Sequence, residues 1–161
     1  MYRAMRTPSE LSDLLRAHGR KVTPQRQRIF QALQHDEGHP SAETIYETVR
    51  VDMETISLKT VYQTLHDLAA LGEITALELG TGTVRFDPNV ECPHHHLVCR
   101  VCGEIRDVFV EVGSLELPPG EARGYDVGSA EVVFRGVCPA CRRAEPSTTR
   151  AAPAPLPSGN R

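Results

Sequence analysis

Apolar residues in the first half of the chain recur at helical spacing, and each run opens and closes on a recognisable signal. Thr7-Pro8-Ser9-Glu10 combines a capping box with proline at the first helical position. Leu11, Leu14 and Leu15 follow on one face, which predicts a helix ending near Gly19. Thr23-Pro24 repeats the start signal ahead of Ile29, Phe30 and Leu33, predicting a second helix to about His35. His39-Pro40-Ser41 opens a third, with Ile45, Tyr46 and Val49 inward. Ser57 caps a fourth, in which Val61, Leu65, Leu68 and Leu71 share a face up to Gly72. The period then shortens. Residues 73–79 and 83–87 are β-prone runs joined by Gly80-Thr81-Gly82, the pattern of a hairpin.

Helices followed by a hairpin is the element order of a winged helix-turn-helix, with residues 45–51 and 57–71 as the two halves of the motif. Burying Val61, Leu65 and Leu68 turns Lys59, Thr60, Gln63 and His66 outward, with Tyr62 at the edge. Such a mixture of donors, acceptors and an aromatic ring suits a reader of the DNA major groove. Charge sharpens this picture. Residues 14–35 hold Arg16, Arg20, Lys21, Arg26 and Arg28 with no Asp or Glu, although the whole chain carries a net charge of −3. Arg20, Lys21, Gln25 and Arg26 are the candidate phosphate contacts on this segment, and Arg85 is the candidate on the wing. Read without these charges, the same pattern describes a solvated helix face.

From residue 89 the chain is rich in His and Cys and then β-prone at 96–99, 105–110 and 130–137. Pro118-Pro119-Gly120 breaks any long helix between the last two runs. Residues 145–161 are Pro, Ala, Ser and Thr without apolar periodicity, the composition of a disordered tail. The expected division is therefore a DNA-binding domain at 1–88, a second domain at 89–144 and the tail. The chain has 161 residues, no Trp and few other aromatics, so two domains of this size need a further source of stability such as a metal or a dimer partner. No stretch approaches the ~20 apolar residues of a membrane span, and the N-terminal residues lack the apolar run of a signal peptide, so a cytoplasmic protein is expected.

Five cysteines stand at 92, 99, 102, 138 and 141. Cys99 and Cys102, and Cys138 and Cys141, form two pairs with the two-residue spacing that aims both sulfurs at one ion. Together they point to a structural four-cysteine zinc site, with a redox dithiol as the competing reading. Four thiolates leave no open position, so this site serves folding rather than chemistry. His94-His95-His96 is the second cluster. In an extended strand residues 94 and 96 share a face and 95 takes the other. His94 and His96 can share an ion if Asp87, Glu91, Asp107 or His39 completes the site; otherwise they are a solvated surface run.

Taken together, Val22-Thr23-Pro24-Gln25-Arg26, His39-Pro40, Thr60-Val61-Tyr62, Arg85-Phe86-Asp87, His94–His96 and both cysteine pairs resemble the ferric uptake regulator (Fur) family over about residues 10–143. The resemblance implies an α+β protein: a winged helix-turn-helix, then a small α/β dimerisation domain with the structural zinc. It implies a homodimeric, metal-dependent repressor, not an enzyme, that binds A/T-rich inverted repeats of double-stranded DNA. The likeness is greatest to the family's peroxide-sensing branch. Carried over by matching positions, the regulatory Fe²⁺ or Mn²⁺ has His39, Asp87, His94, His96 and Asp107 as ligands, and His39 and His94 are the residues peroxide oxidises. Asp107 discriminates, because iron-uptake relatives usually carry Glu there. The three-imidazole, two-carboxylate set suits Fe²⁺ or Mn²⁺. The alternative within the family is a sensor of iron or zinc availability, for which Cys92, a soft residue outside the zinc set, is the feature to watch. Outside the family, the competing classes are a zinc hydrolase built on the His cluster and a structural zinc module that binds protein.

Overall fold

The computed structural model describes residues 5–36, 38–90, 92–113, 115–118, 120–128 and 130–144. Glu91, Pro119 and the expected tail at 145–161 lie outside the described residues.

Four helices come first: α1 (Pro8–Ala17), α2 (Pro24–His35), α3 (Ala42–Arg50) and α4 (Leu58–Ala70). Each begins where a hydroxyl was expected to cap it. Thr7, Thr23, Ser41 and Ser57 accept the backbone N–H of the third helical residue, and each such cap contributes about 1 kcal/mol. α1 and α4 stop at Gly19 and Gly72, whose φ of 68° and 72° turn the chain out of the helix. Beyond α4, the N–H groups of Gly72 and Glu73 return to Ala69 and Leu68, which satisfies its last carbonyls.

One apolar cluster joins these helices. Leu11 and Leu15 of α1, Phe30 and Leu33 of α2, Ile45 and Val49 of α3, and Val61, Leu65 and Leu68 of α4 are all buried in it. Burying a side chain of this size contributes about 1.5–3 kcal/mol, so this cluster holds α4 on its neighbours. β1 (Thr75–Leu77) and β2 (Arg85–Asp87) pair antiparallel, with Thr75 opposite Asp87. Both strands are shorter than the β-prone runs predicted. Leu79 turns away to bury elsewhere, and Gly80 and Gly82 take φ of 72° and 79°, so the pairing ends at Leu77.

The second half is a mixed three-stranded sheet in the order β4-β3-β5, with β3 (His95–Cys99) antiparallel to β4 (Ile105–Val108) and parallel to β5 (Val133–Gly136). Parallel strands need a long connection, usually a helix. Among the described residues of 109–132 none is helical, in keeping with the Pro118 break. α5 (Pro139–Ala144) is the one helix of this half among the described residues.

Contacts from the β1 side tie the halves together, and a bond within the first half places His39. Leu77 and Leu79, from the β1 side, bury against Val98 and Ile105, and Arg135 of β5 donates to the Leu79 carbonyl at 2.8 Å. The loop before α3 docks on β2 through a hydrogen bond from the Phe86 N–H to the Pro40 carbonyl, 3.0 Å. That bond sets His39 beside Asp87.

Candidate metal centres and nucleic-acid face

The four paired cysteines converge. Cys99 ends β3, and Cys102 follows on a turn closed by Gly103, whose φ is 73° and whose N–H bonds to the Cys99 carbonyl at 2.9 Å. Cys138 precedes α5 and Cys141 lies within it. The four sulfurs all lie within 4.8 Å of one another. Cys102 and Cys138 sulfurs are 3.8 Å apart, the edge of a tetrahedron with metal–sulfur bonds of about 2.3 Å and nearly twice a disulfide bond. None of the five cysteines is disulfide-bonded. Backbone N–H groups of Cys102, Cys138 and Val101 hold the Cys99 thiol down to about 6. Crowding by the Cys102 and Cys138 sulfurs pushes Cys141 up to about 12. Four crowded thiolates repel one another, and a divalent cation would relieve that repulsion.

The second centre is assembled from both halves. His39 comes from the loop before α3, Asp87 from the end of β2, His94 from the residue before β3, His96 from β3 and Asp107 from β4. His96 and Asp107 are directly opposed in the β3–β4 register, so they share a face. His94 Nε2 lies 3.1 Å from His96 Nε2 and 3.0 Å from Asp87 Oδ2. His39 Nε2 is 2.9 Å from Asp107 Oδ1 and 3.6 Å from Asp87 Oδ1. His95, as alternation predicts, points to the other face, where its ring meets Phe134. Of the four residues offered to complete the pair, His39, Asp87 and Asp107 are brought to it, while Glu91 lies outside the described residues.

These donors fit a cation. His39 Nδ1 and Nε2 and Asp107 Oδ1 are buried without a hydrogen-bond partner, although His39 Nε2 and Asp107 Oδ1 are close. Of these, His39 Nε2 and Asp107 Oδ1 face each other at 2.9 Å, an arrangement that fits a cation between them. Leaving buried polar atoms unpaired costs roughly 1–3 kcal/mol each, which an ion would offset. Burial, then the neighbouring His39 and His94, push the His96 pKa down, so its ring stays neutral and its lone pair available. His94 Nδ1 lies 2.8 Å from the Cys92 carbonyl, which fixes its hydrogen there and leaves Nε2 as the donor atom. The Cys92 sulfur belongs to neither cluster of ligand atoms among the described residues.

The candidate DNA contacts gather less completely. Arg20, Lys21, Gln25, Arg26, Lys59, Thr60 and Gln63 line one open cleft of about 470 Å³ between the α1–α2 loop, α2 and α4. Within it, Arg26 is not a free cation. It pairs with Asp67 of α4 at 2.6 Å, and its side chain is 14% exposed. Arg20 meets the same carboxylate at 3.2 Å but is half exposed. Tyr62 lies outside the cleft lining, its hydroxyl donating to Glu43 of α3 at 2.7 Å; that bond lowers the Glu43 pKa and raises that of Tyr62. Arg85 is half-buried: its Nε is buried and its guanidinium lies near the Gly103 turn. Sequence reasoning missed Asp67, which sits unmarked among the apolar positions of α4, and Asn89, whose only signal was the Asp87-Pro88-Asn89 turn pattern.

The sequence profile of the ferric uptake regulator family matches residues 17–132. The chain belongs to the ferric uptake regulator family. Among curated relatives, this Fur-family protein is 33% identical over 133 residues to the transcriptional regulator FurA of Mycobacterium tuberculosis, covering 82% of this chain and 90% of that one. It is equally 33% identical over 129 residues to the peroxide-responsive repressor PerR of Staphylococcus aureus, covering 80% and 86%. The fold matches that of the Helicobacter pylori ferric uptake regulator with a TM-score of 0.68 at 24% identity, over 88% of this chain and 97% of that one. This Fur-family protein is a metal-dependent transcriptional regulator. No helix among its described residues is long and apolar enough to cross a membrane.

Proposed function

We propose that this protein is a cytoplasmic homodimeric repressor that holds A/T-rich inverted-repeat DNA in its metal-loaded form and releases it on exposure to hydrogen peroxide. The observation that carries the reading is the convergence of three imidazoles and Asp107, with no thiolate, within 4.8 Å of one another, and Asp87 lying 3.0–3.6 Å from each of the three imidazoles. Residues 1–88 act as the DNA-binding domain and 89–144 as the dimerisation and sensing domain. Cys99, Cys102, Cys138 and Cys141 hold structural Zn²⁺.

His39, Asp87, His94, His96 and Asp107 hold the regulatory Fe²⁺ or Mn²⁺. Two carboxylates balance the charge of a divalent cation, and five donor residues leave room for a small sixth ligand. Fe²⁺, when bound, would supply redox catalysis, passing electrons from the imidazole to hydrogen peroxide with no net change in the iron, a chemistry Mn²⁺ supplies poorly. His39 and His94 are the residues oxidised: the imidazole carbon between the nitrogens gains one oxygen and water is the other product. His39 and Asp87 belong to the DNA-binding side, while His94, His96 and Asp107 belong to the dimer side. Together they clamp the two domains at one angle, and loss of one imidazole biases the pair toward the released state.

DNA is met by Lys59, Thr60, Tyr62 and Gln63 of α4, with Arg20, Lys21 and Gln25 on phosphate. The dimer forms over the outward face of the sheet, where Leu97 and Phe134 are register partners and both exposed, with exposed Val110 beside His95 of the same face. A two-fold pair of α4 helices reads two half-sites, which is why an inverted repeat is the expected target.

The test is peptide mass spectrometry of Fe²⁺-loaded and Mn²⁺-loaded protein before and after dilute hydrogen peroxide, with retention of A/T-rich inverted-repeat DNA measured in parallel. One oxygen on the His39 or His94 peptide, with iron alone, and loss of DNA support the reading. Unmodified histidines with DNA retained overturn it. The second reading, a repressor that reports iron or zinc availability through the same site, is favoured by the equal likeness to FurA; it predicts DNA release on chelation alone, insensitive to peroxide.

A further inference from the structure

A carboxylate can offer a cation one oxygen or two, and the choice sets how many positions around the ion stay open. The structure restrains both aspartates of the candidate regulatory centre in the same way. Asp87 Oδ1 accepts the backbone N–H of Asn89 at 2.7 Å, leaving Oδ2 toward His94 Nε2 at 3.0 Å and His96 Nε2 at 3.6 Å. Asp107 Oδ2 accepts from the side-chain amide of the same Asn89 at 3.2 Å. Asp107 Oδ1 is left buried and without a hydrogen bond, 2.9 Å from His39 Nε2. We infer that Asn89 is a positioning residue of this centre: one backbone N–H and one side-chain amide each engage an oxygen of one aspartate, so that each presents a single oxygen to a divalent cation. The inference rests on the reading of the regulatory centre given above.

The orientation of the amide follows from its surroundings. Asn89 Nδ2 also lies 3.4 Å from His94 Nδ1, whose hydrogen is directed to the Cys92 carbonyl. Nitrogen faces the Asp107 carboxylate because the opposite orientation would set an oxygen against an oxygen. Asn89 thus reaches across from the β2 end to β4, touching groups from both halves of the clamp. Freed of the amide, Asp107 can rotate and chelate through both oxygens, which fills the position a sixth ligand needs.

The experiment uses full-length zinc-loaded protein, titrated with MnCl₂ by calorimetry and with CoCl₂ by visible absorption. Asn89→Ala keeps the backbone bond to Asp87 and removes the side-chain bond to Asp107. The expected result is a 10- to 100-fold weaker Mn²⁺ dissociation constant and an altered Co²⁺ ligand-field band, with zinc content and Tm before Mn²⁺ addition unchanged. A merely structural role does not move the Co²⁺ band. Asn89→Asp, of the same size but unable to donate, repeats the test should the alanine variant fold poorly, and it too should alter the band. If Asn89→Ala and Asn89→Asp bind Mn²⁺ within threefold of the parent with the same Co²⁺ band, while Asp107→Ala abolishes binding, the inference about Asn89 fails and the centre stands. If the parent protein takes up no Mn²⁺ beyond its zinc, the centre itself fails and this inference with it.

Discussion

At His39 the backbone takes φ of 54°, a left-handed conformation that a residue with a Cβ adopts at a cost of about 1–2 kcal/mol. The conformation aims a fully buried imidazole at Asp87 and Asp107, and the strain persists because Pro40 is tied to β2. His39→Gly should therefore be more stable than His39→Ala in the zinc-loaded protein, by about 1 kcal/mol in urea denaturation, although neither retains the ligand. Two further substitutions separate the centres. Asp107→Ala should leave a folded, zinc-containing protein that binds Mn²⁺ poorly in calorimetry. Cys138→Ser removes a thiolate from a closed four-sulfur set, and should lose zinc by metal analysis together with a large part of the thermal transition. Equal unfolding in both variants would erase the distinction between a structural and a regulatory site.

Among the elements, α4 combines two demands. Its apolar face holds it in the helical cluster, and Asp67, 4% exposed, fastens it to Arg26 of α2 and to Arg20. Asp67→Ala leaves the nearly buried Arg26 unpaired and should cost about 3 kcal/mol in chemical denaturation. Lys59→Ala, exposed on the same helix, should instead leave stability unchanged, weaken DNA binding evenly across sequences and lower the salt slope by about one. The starts of all four helices were legible in Thr7, Thr23, Ser41 and Ser57, since a cap is a local device whose partners lie within four residues. The proximity of His39, Asp87, His94, His96 and Asp107 was legible for a different reason: the family resemblance aligned residues that periodicity alone could not bring together. What stayed hidden depends on contacts across the chain. Asp67 reads as an ordinary acidic residue until Arg20 and Arg26 fold against it. β1, β2, β4 and β5 came out shorter than their β-prone runs, while β3 begins one residue before its own, because a strand extends only as far as a neighbour pairs with it. β3 offers β5 the four positions His96 to Cys99, and no more of the run was paired.

For the whole molecule, β3 is the member both centres share. It begins beside His94, carries His96 and ends at Cys99, so roughly 10 Å of one strand separates a regulatory ligand from a structural one. β5, its parallel neighbour, is fixed at the far end by Cys138 just after Gly136. Under the proposed function, zinc held by the four sulfurs would pin the shared end of β3 and β5, and an order of loading follows along a single strand: zinc first, the second metal after it. A chain stripped of both metals and given Mn²⁺ alone should take up none with high affinity. Zinc followed by Mn²⁺ should restore it, so that a cell short of zinc would hold this regulator as an immature chain, deaf to its second metal.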